Sequence, residues 1–334
     1  MKKKDLTILN AGIAFVVSFI LSQFTLAIGT SITTTILSGL GRNSAQIDAF
    51  FKTSVGYLLK SIYLNIAFVA VFIWYFKSID KQDFIQKPNK SILKYSAIGI
   101  ILGVASFFLL SGVVNHFEWF VTKIGYSSDT DPFTLNSVKD LLICYVSLAL
   151  IPAVCEELLF RGVIINCLKH KGQVFAVVLS SIMFSIFHFS PIQLIYPLCW
   201  GLLLGIVYLR TKNIIFPMIM HFINNALSLT LQFFISSSEV FKPTIFLTTY
   251  TIITFIIWIF AMIYLFKDFI RHNEKSQNSS LANISSTNNT ENTIVEESAN
   301  TNNKLNQSNN TNDNMVFYGS IAIMLCIYLL LLFA

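Results

Sequence analysis

VKDLLICYVSLALIPAVCEELLFRG, residues 138–162, joins two features that seldom share a segment. One is a charge-free apolar run from Leu141 to Cys155; the other is the adjacent pair Glu156 and Glu157, with Arg161 one turn further on. A bilayer span needs about 20 apolar residues, and runs of that order recur along the chain. They cover Leu6–Ile28, Ser54–Phe76, Ile92–Val114, Val138–Phe160, Gln173–Phe189, Ile192–Leu209, Ile214–Ile235, Thr244–Phe266 and Val316–Ala334. The runs are continuously apolar, whereas membrane β-strands alternate over about ten residues. The expected fold is therefore all-α: a polytopic transmembrane helix bundle of about nine spans.

Composition agrees. Of 334 residues, 54% are hydrophobic and 12% charged, against about 25% charged in a typical soluble domain, and mean hydropathy is +0.66. A soluble globular chain is excluded, and so is disorder over most of the length. The first run follows Met1-Lys2-Lys3-Lys4. It exceeds the 7–15 apolar residues usual in a signal peptide and lacks a small-x-small cleavage site after it, so it reads as a retained span.

The net charge of +6 sits in alternate loops. Lys77, Lys81, Lys87 and Lys90 follow the N-terminal lysines; then come Arg161, Lys169 and Lys171, then Arg210 and Lys212, then Lys267, Arg271 and Lys275. The loop around Glu118, Asp129 and Asp131 is acidic. This is the positive-inside pattern of a multi-pass cell-membrane protein, with the N-terminus cytoplasmic and the C-terminus outside. It makes the basic excess a topology signal, and no nucleic-acid partner is expected. Four of the five cysteines lie in apolar runs and the fifth just after one, with no metal-ligand spacing.

Residues 272–315 are rich in Asn, Ser and Thr and bury too little apolar area to offset chain entropy, which reads as a disordered linker. Residues 316–334 then form a detached tail span, and 236–271 hold one additional transmembrane helix. Two Gly-x-x-x-Gly pairs, Gly99/Gly103 and Gly201/Gly205, suit close helix packing within the chain. No internal repeat is visible.

Ionisable groups inside a bilayer are costly and mark function by default. Here they concentrate between Glu156 and Asn225. On a helix Glu156 and Glu157 point about 100° apart, while Glu157 and Arg161 are four apart in the favourable acid-first order. That pairing leaves Glu156 for chemistry; a purely structural alternative has both carboxylates neutralising Arg161 at a span end. Phe184 and His188, and His221 and Asn225, are each four apart and share a helix face. A carboxylate, two imidazoles and an amide on neighbouring spans are the parts needed to activate water and stabilise an oxyanion. His116, His170 and His272 read as loop or linker residues and are set aside.

Glu-Glu-x-x-x-Arg at Glu156–Arg161, Phe-x-x-x-His at Phe184–His188 and His-x-x-x-Asn at His221–Asn225 resemble the three motifs of the CPBP family. That family holds the CAAX prenyl endopeptidases and their bacterial relatives, among them bacteriocin-processing and immunity proteins. The resemblance covers residues 138–235, a catalytic helical core, and leaves 1–137 as variable N-terminal helices. It implies an intramembrane endopeptidase in which Glu156 activates the hydrolytic water and His188 holds or shares it. His221 and Asn225 would stabilise the oxyanion, and Arg161 would act through Glu157, with Phe184 in support. It implies no metal; the metalloprotease alternative would place Zn²⁺ on Glu156, His188 and His221, a three-ligand set without a His-Glu-x-x-His helix. The implied partners are membrane lipid and a peptide or membrane-protein substrate, lipidated or not. A transporter, or a non-catalytic peptide-binding or immunity protein, is the competing reading.

One conflict stands at this stage. The expected boundaries put Glu156 near the cytoplasmic end of its span and His188 near the outer end of the next, roughly 20 Å apart by helix rise. Either Pro152 or Pro191 breaks a helix there, or a boundary is misplaced.

Overall fold

Helix α1, Ile8–Gly39, starts where the Thr7 hydroxyl accepts the Asn10 backbone N–H, and it continues well past the expected Ile28. The computed structural model describes residues 6–79, 84–87, 90–123, 135–188, 190, 194–234, 248–249, 251–265, 267 and 270–271. The extension has a local cause. Thr30, Thr33 and Thr35 hydrogen-bond back to the carbonyls of Leu26, Gly29 and Ser31 at 2.8–2.9 Å, so these hydroxyls are satisfied within the helix. Ile20, Phe24, Ile28, Ile32 and Ile36 form an exposed stripe along it, the face a lipid environment would cover.

A capping box at Asn43 opens the short α2, Ser44–Phe51, and Thr53 caps α3, Ser54–Phe76. Helix α4, Lys90–Lys123, also outruns its expected end at Val114. It places His116 in a helix rather than a loop, with Nε2 3.1 Å from the Thr248 hydroxyl. Helix α5 runs without a break from Val138 to Lys171, capped by Ser137 and tied to α3 by the Ser54 hydroxyl on Asp140, 2.7 Å. Then follow α6, Gln173–Ile186; α7, Ile195–Thr211; α8, Ile215–Phe234; and α9, Thr251–Leu265.

The result is an all-α membrane bundle. Among the described residues, α1, α3, α4 and α5 are long and apolar enough to cross a membrane, and α6, α7 and α9 are shorter apolar helices. The expected linker at 272–315 and tail span at 316–334 lie outside the described residues.

The extension of α5 corrects the boundary at Phe160 and resolves the conflict over His188. Arg161 is not a loop cation: it is 1% exposed and paired with Glu157, so it does not end the apolar helix. The helix instead ends at Lys169–Lys171, and Gly172, at φ 121°, turns the chain back into α6. Glu157 and His188 are almost equidistant in sequence from Gly172. At ~1.5 Å per residue both fall about 23 Å from the turn, level with one another. The helix also passes through Pro152 unbroken. A π-helical stretch at Tyr145–Leu150 precedes it, widening the turn that proline's missing N–H and ring would otherwise disrupt.

Both glycine pairs pack inside the chain. A Cβ on Gly201 would lie 3.0 Å from that of Ser181, and on Gly205 3.1 Å from Val177, so these glycines let α7 approach α6 closely. Gly99 and Gly103 similarly face Val207 and Trp200.

One ring ties the N-terminal helices to the His188 end of the site. Phe187, beside His188, makes edge contacts with Phe15 and Phe19 of α1 (both 5.9 Å), Phe68 of α3 (5.1 Å) and Phe160 of α5 (5.8 Å). Replacing it with Ala is expected to cost about 3 kcal/mol through lost packing. The detergent-solubilised Phe187→Ala protein should melt several degrees below wild type; an unchanged melt would mean that α1 and α3 do not anchor this segment.

Candidate active site

Glu157 is the centre of the buried charge. Its side chain is 0% exposed, and its Oε1 accepts from Arg161 Nη1 at 2.8 Å and from His221 Nδ1 at 2.9 Å. The Arg161 guanidinium also donates through Nη2 to the Gly201 carbonyl at 3.1 Å and lies over the Phe184 ring, 4.8 Å from its centroid. Phe184 in turn meets His221, Phe160 and His188 edge-on at 5.8, 5.0 and 4.9 Å. One pair on α5 therefore fastens α6, α7 and α8 together, and Phe184 is the apolar wall against which the cation sits.

Two π-helical stretches, Tyr145–Leu150 and Leu158–Ile165, bracket the carboxylates. Wide turns leave carbonyls out of the α register, and here side chains take them. Asn166 Nδ2 donates to the Arg161 and Gly162 carbonyls at 3.1 and 2.9 Å, and the Ser61 hydroxyl donates to the Ser147 carbonyl. The α-helical partner of the Leu148 carbonyl would be the N–H of residue 152, a proline; Asn225 Nδ2 donates to this carbonyl instead, at 3.4 Å.

Glu156 behaves differently from its neighbour. It is 16% exposed where Glu157 is fully buried, and its Oε2 lies 3.9 Å from His221 Nε2; that oxygen, like Oε2 of Glu157, has no hydrogen-bond partner among the described residues. His188 is held by its own backbone: Nδ1 is 2.8 Å from the Phe184 carbonyl, which makes Nδ1 the donor and leaves Nε2 with its lone pair. His188 lines a cavity of about 460 Å³ together with Asn225, Asn224, Tyr196, Leu148 and Asn115. The described groups contain no set of three or more His, Cys, Asp or Glu side chains arranged to hold a metal ion.

Residues 138–227 match the family model of the type II CAAX prenyl endopeptidase Rce1-like family. The match covers the segment that carries all three motifs and supports a membrane peptidase core there. A further relative is the candidate membrane peptidase YdiL of Bacillus subtilis (strain 168), 25% identical over 178 residues, covering 52% of this chain and 71% of that protein. No solved structure is significantly similar to the chain.

In this peptidase core the structure brings all seven expected residues into one region. Glu156, Glu157 and Arg161 come from α5, Phe184 and His188 from α6 and its end, and His221 and Asn225 from α8. Two polar residues on the same cavity were not expected. Asn224 donates from Nδ2 to Asn225 Oδ1 at 3.3 Å and accepts from the Tyr196 hydroxyl. The doublet Asn224-Asn225 was visible in sequence, but nothing linked it to Tyr196 on another helix.

Removing one partner of a buried ion pair leaves the other charge uncompensated, at a cost of about 3–5 kcal/mol. Arg161→Met should therefore strand Glu157 and lower the melting temperature sharply, while Arg161→Lys, lacking the two-pronged guanidinium, should fall between. An Arg161→Met protein that melts like wild type would contradict the structural role given to this pair.

Proposed function

We propose that this membrane peptidase hydrolyses a peptide bond of a membrane-associated peptide or protein with Glu156 as general base and no metal ion. The observation that carries the reading is the unequal treatment of two adjacent carboxylates. Glu157 is fully buried and its Oε1 is spent on Arg161 and His221; Glu156 is partly exposed, with its Oε2 beside His221 Nε2 at 3.9 Å.

The residues support a complete sequence of steps. Water donates one proton toward His188 Nε2 and yields the other to Glu156 as its oxygen bonds to the scissile carbonyl carbon. The carbonyl electron pair moves onto oxygen, where Asn225 Nδ2 donates a hydrogen bond. His221 donates a second through Nε2–H, as an imidazolium protonated on both nitrogens whose Nδ1–H is held by Glu157. The tetrahedral intermediate then collapses, the C–N bond breaks, and Glu156 returns its proton to the leaving amine. Away from the imidazole the cavity is lined by apolar, hydroxyl and amide side chains. Such walls suit an uncharged, extended stretch of substrate, lipid-anchored or membrane-embedded, whose backbone needs both donors and acceptors.

Terminal-peptide enrichment on host membranes carrying wild type or Glu156→Gln at matched levels tests this without a chosen substrate. New termini present only with wild type are expected; identical profiles across growth conditions would overturn the peptidase mechanism. Cleavage of the substrate so mapped, by purified protein, should persist after dialysis against EDTA. Loss of cleavage that Zn²⁺ restores would overturn the metal-free reading.

A further inference from the structure

The cavity holds a chain of hydrogen bonds with a single direction. The Tyr196 hydroxyl of α7 donates to Asn224 Oδ1, Asn224 Nδ2 donates to Asn225 Oδ1, and Asn225 Nδ2 donates to the Leu148 carbonyl. All four residues line the same cavity as His188. We propose that Tyr196 and Asn224 are positioning residues that fix which edge of the Asn225 amide faces the reacting carbonyl, an inference that rests on Asn225 being an oxyanion donor.

An asparagine amide has one donor edge and one acceptor edge of nearly the same shape, so an unsupported Asn225 could turn either toward substrate. An oxyanion needs the donor. Flipped, Asn225 would set its oxygen against the Leu148 carbonyl and its NH₂ against the NH₂ of Asn224, two clashes of like groups. The second clash exists only while Asn224 itself cannot flip, and the Tyr196 O–H, bonded to Asn224 Oδ1, prevents that. The first depends on the Leu148 carbonyl being open to a side chain, which Pro152 secures by supplying no N–H four residues on. With Oδ1 occupied and one Nδ2 hydrogen directed at Leu148, the second Nδ2 hydrogen remains for the oxyanion.

Tyr196→Phe removes one hydroxyl and keeps the ring that stacks on Trp200 at 6.4 Å, so the fold should survive. The experiment measures kcat and KM for wild type, Tyr196→Phe, Asn225→Ala and the double variant, on a fluorogenic peptide spanning the mapped cleavage site. Beside it, the side-chain amide NMR signals of Asn225 are followed in protein ¹⁵N-labelled at asparagine and assigned by their loss in Asn225→Ala, which needs no substrate. The proposal expects kcat of Tyr196→Phe to fall about tenfold at unchanged KM, less than the 10²–10³ of losing an oxyanion donor outright. In the Asn225→Ala background the same change should have no further effect, because nothing is left to orient. The Asn225 amide signals should shift or broaden in Tyr196→Phe and Asn224→Asp. Wild-type kcat and unshifted signals in Tyr196→Phe, or equal losses from Tyr196→Phe with and without Asn225, would overturn the relay while leaving the peptidase reading intact. An Asn225→Ala protein with wild-type kcat would overturn the oxyanion role beneath it, and the relay with it.

Discussion

Taking a carboxylate and a guanidinium out of water is costly in any protein interior and more so in a chain surrounded by lipid. Glu157 and Arg161 are both buried to within 1% of complete, and three neighbouring helices contribute to holding them. Gly201 of α7 offers a carbonyl, Phe184 of α6 a ring face and His221 of α8 an imidazole N–H. Four helices of the peptidase core thus converge on one ion pair. The same convergence sets His221 Nε2 toward Glu156 and His188 within ring contact of Phe184. The charge that must be neutralised and the geometry that the proposed catalysis needs come from one set of bonds.

The second constraint is length. Helix α5, at 34 residues, is nearly three times as long as an ordinary globular helix of about 12 residues, and its carboxylates lie near its middle because Arg161, neutralised in place, does not terminate it. The chain then reverses at Gly172 and returns far enough for His188 to reach the same depth. The π-helical turns on either side of the glutamates supply what a regular helix cannot: carbonyls open to side chains of other helices. Asn166, Ser61 and Asn225 take them. The N-terminal helices, outside the matched segment, hold the His188 corner through the rings around Phe187.

Much of the site was legible in sequence because it obeys helical spacing. The four-residue intervals Glu157–Arg161, Phe184–His188 and His221–Asn225 needed no tertiary information, and they already separated Glu156 from its neighbour. The helix ends were misjudged for a related reason. Arg161 was read as a loop cation because a lone charge ends a span, yet its partner one turn earlier cancels that signal; the Thr-rich end of α1 satisfies its hydroxyls internally and stays helical. Turns of the π type have no composition of their own, so the effect of Pro152 on Leu148 could not be foreseen. Contacts between helices, such as Tyr196 with Asn224 or Phe187 with Phe15, depend on packing that no local spacing encodes.

Two adjacent, chemically identical side chains, Glu156 and Glu157, are assigned different work. The most direct test is a paired measurement on purified Glu156→Gln and Glu157→Gln proteins: melting temperature, and the rate of cleavage of one mapped substrate. Glu156→Gln should melt like wild type and lose cleavage by about 100-fold or more, the scale of a removed general base. Glu157→Gln should melt well below wild type, because Arg161 loses its counter-charge. Residual cleavage near wild type in Glu156→Gln, or a Glu157→Gln protein as stable as wild type, would contradict the assignment.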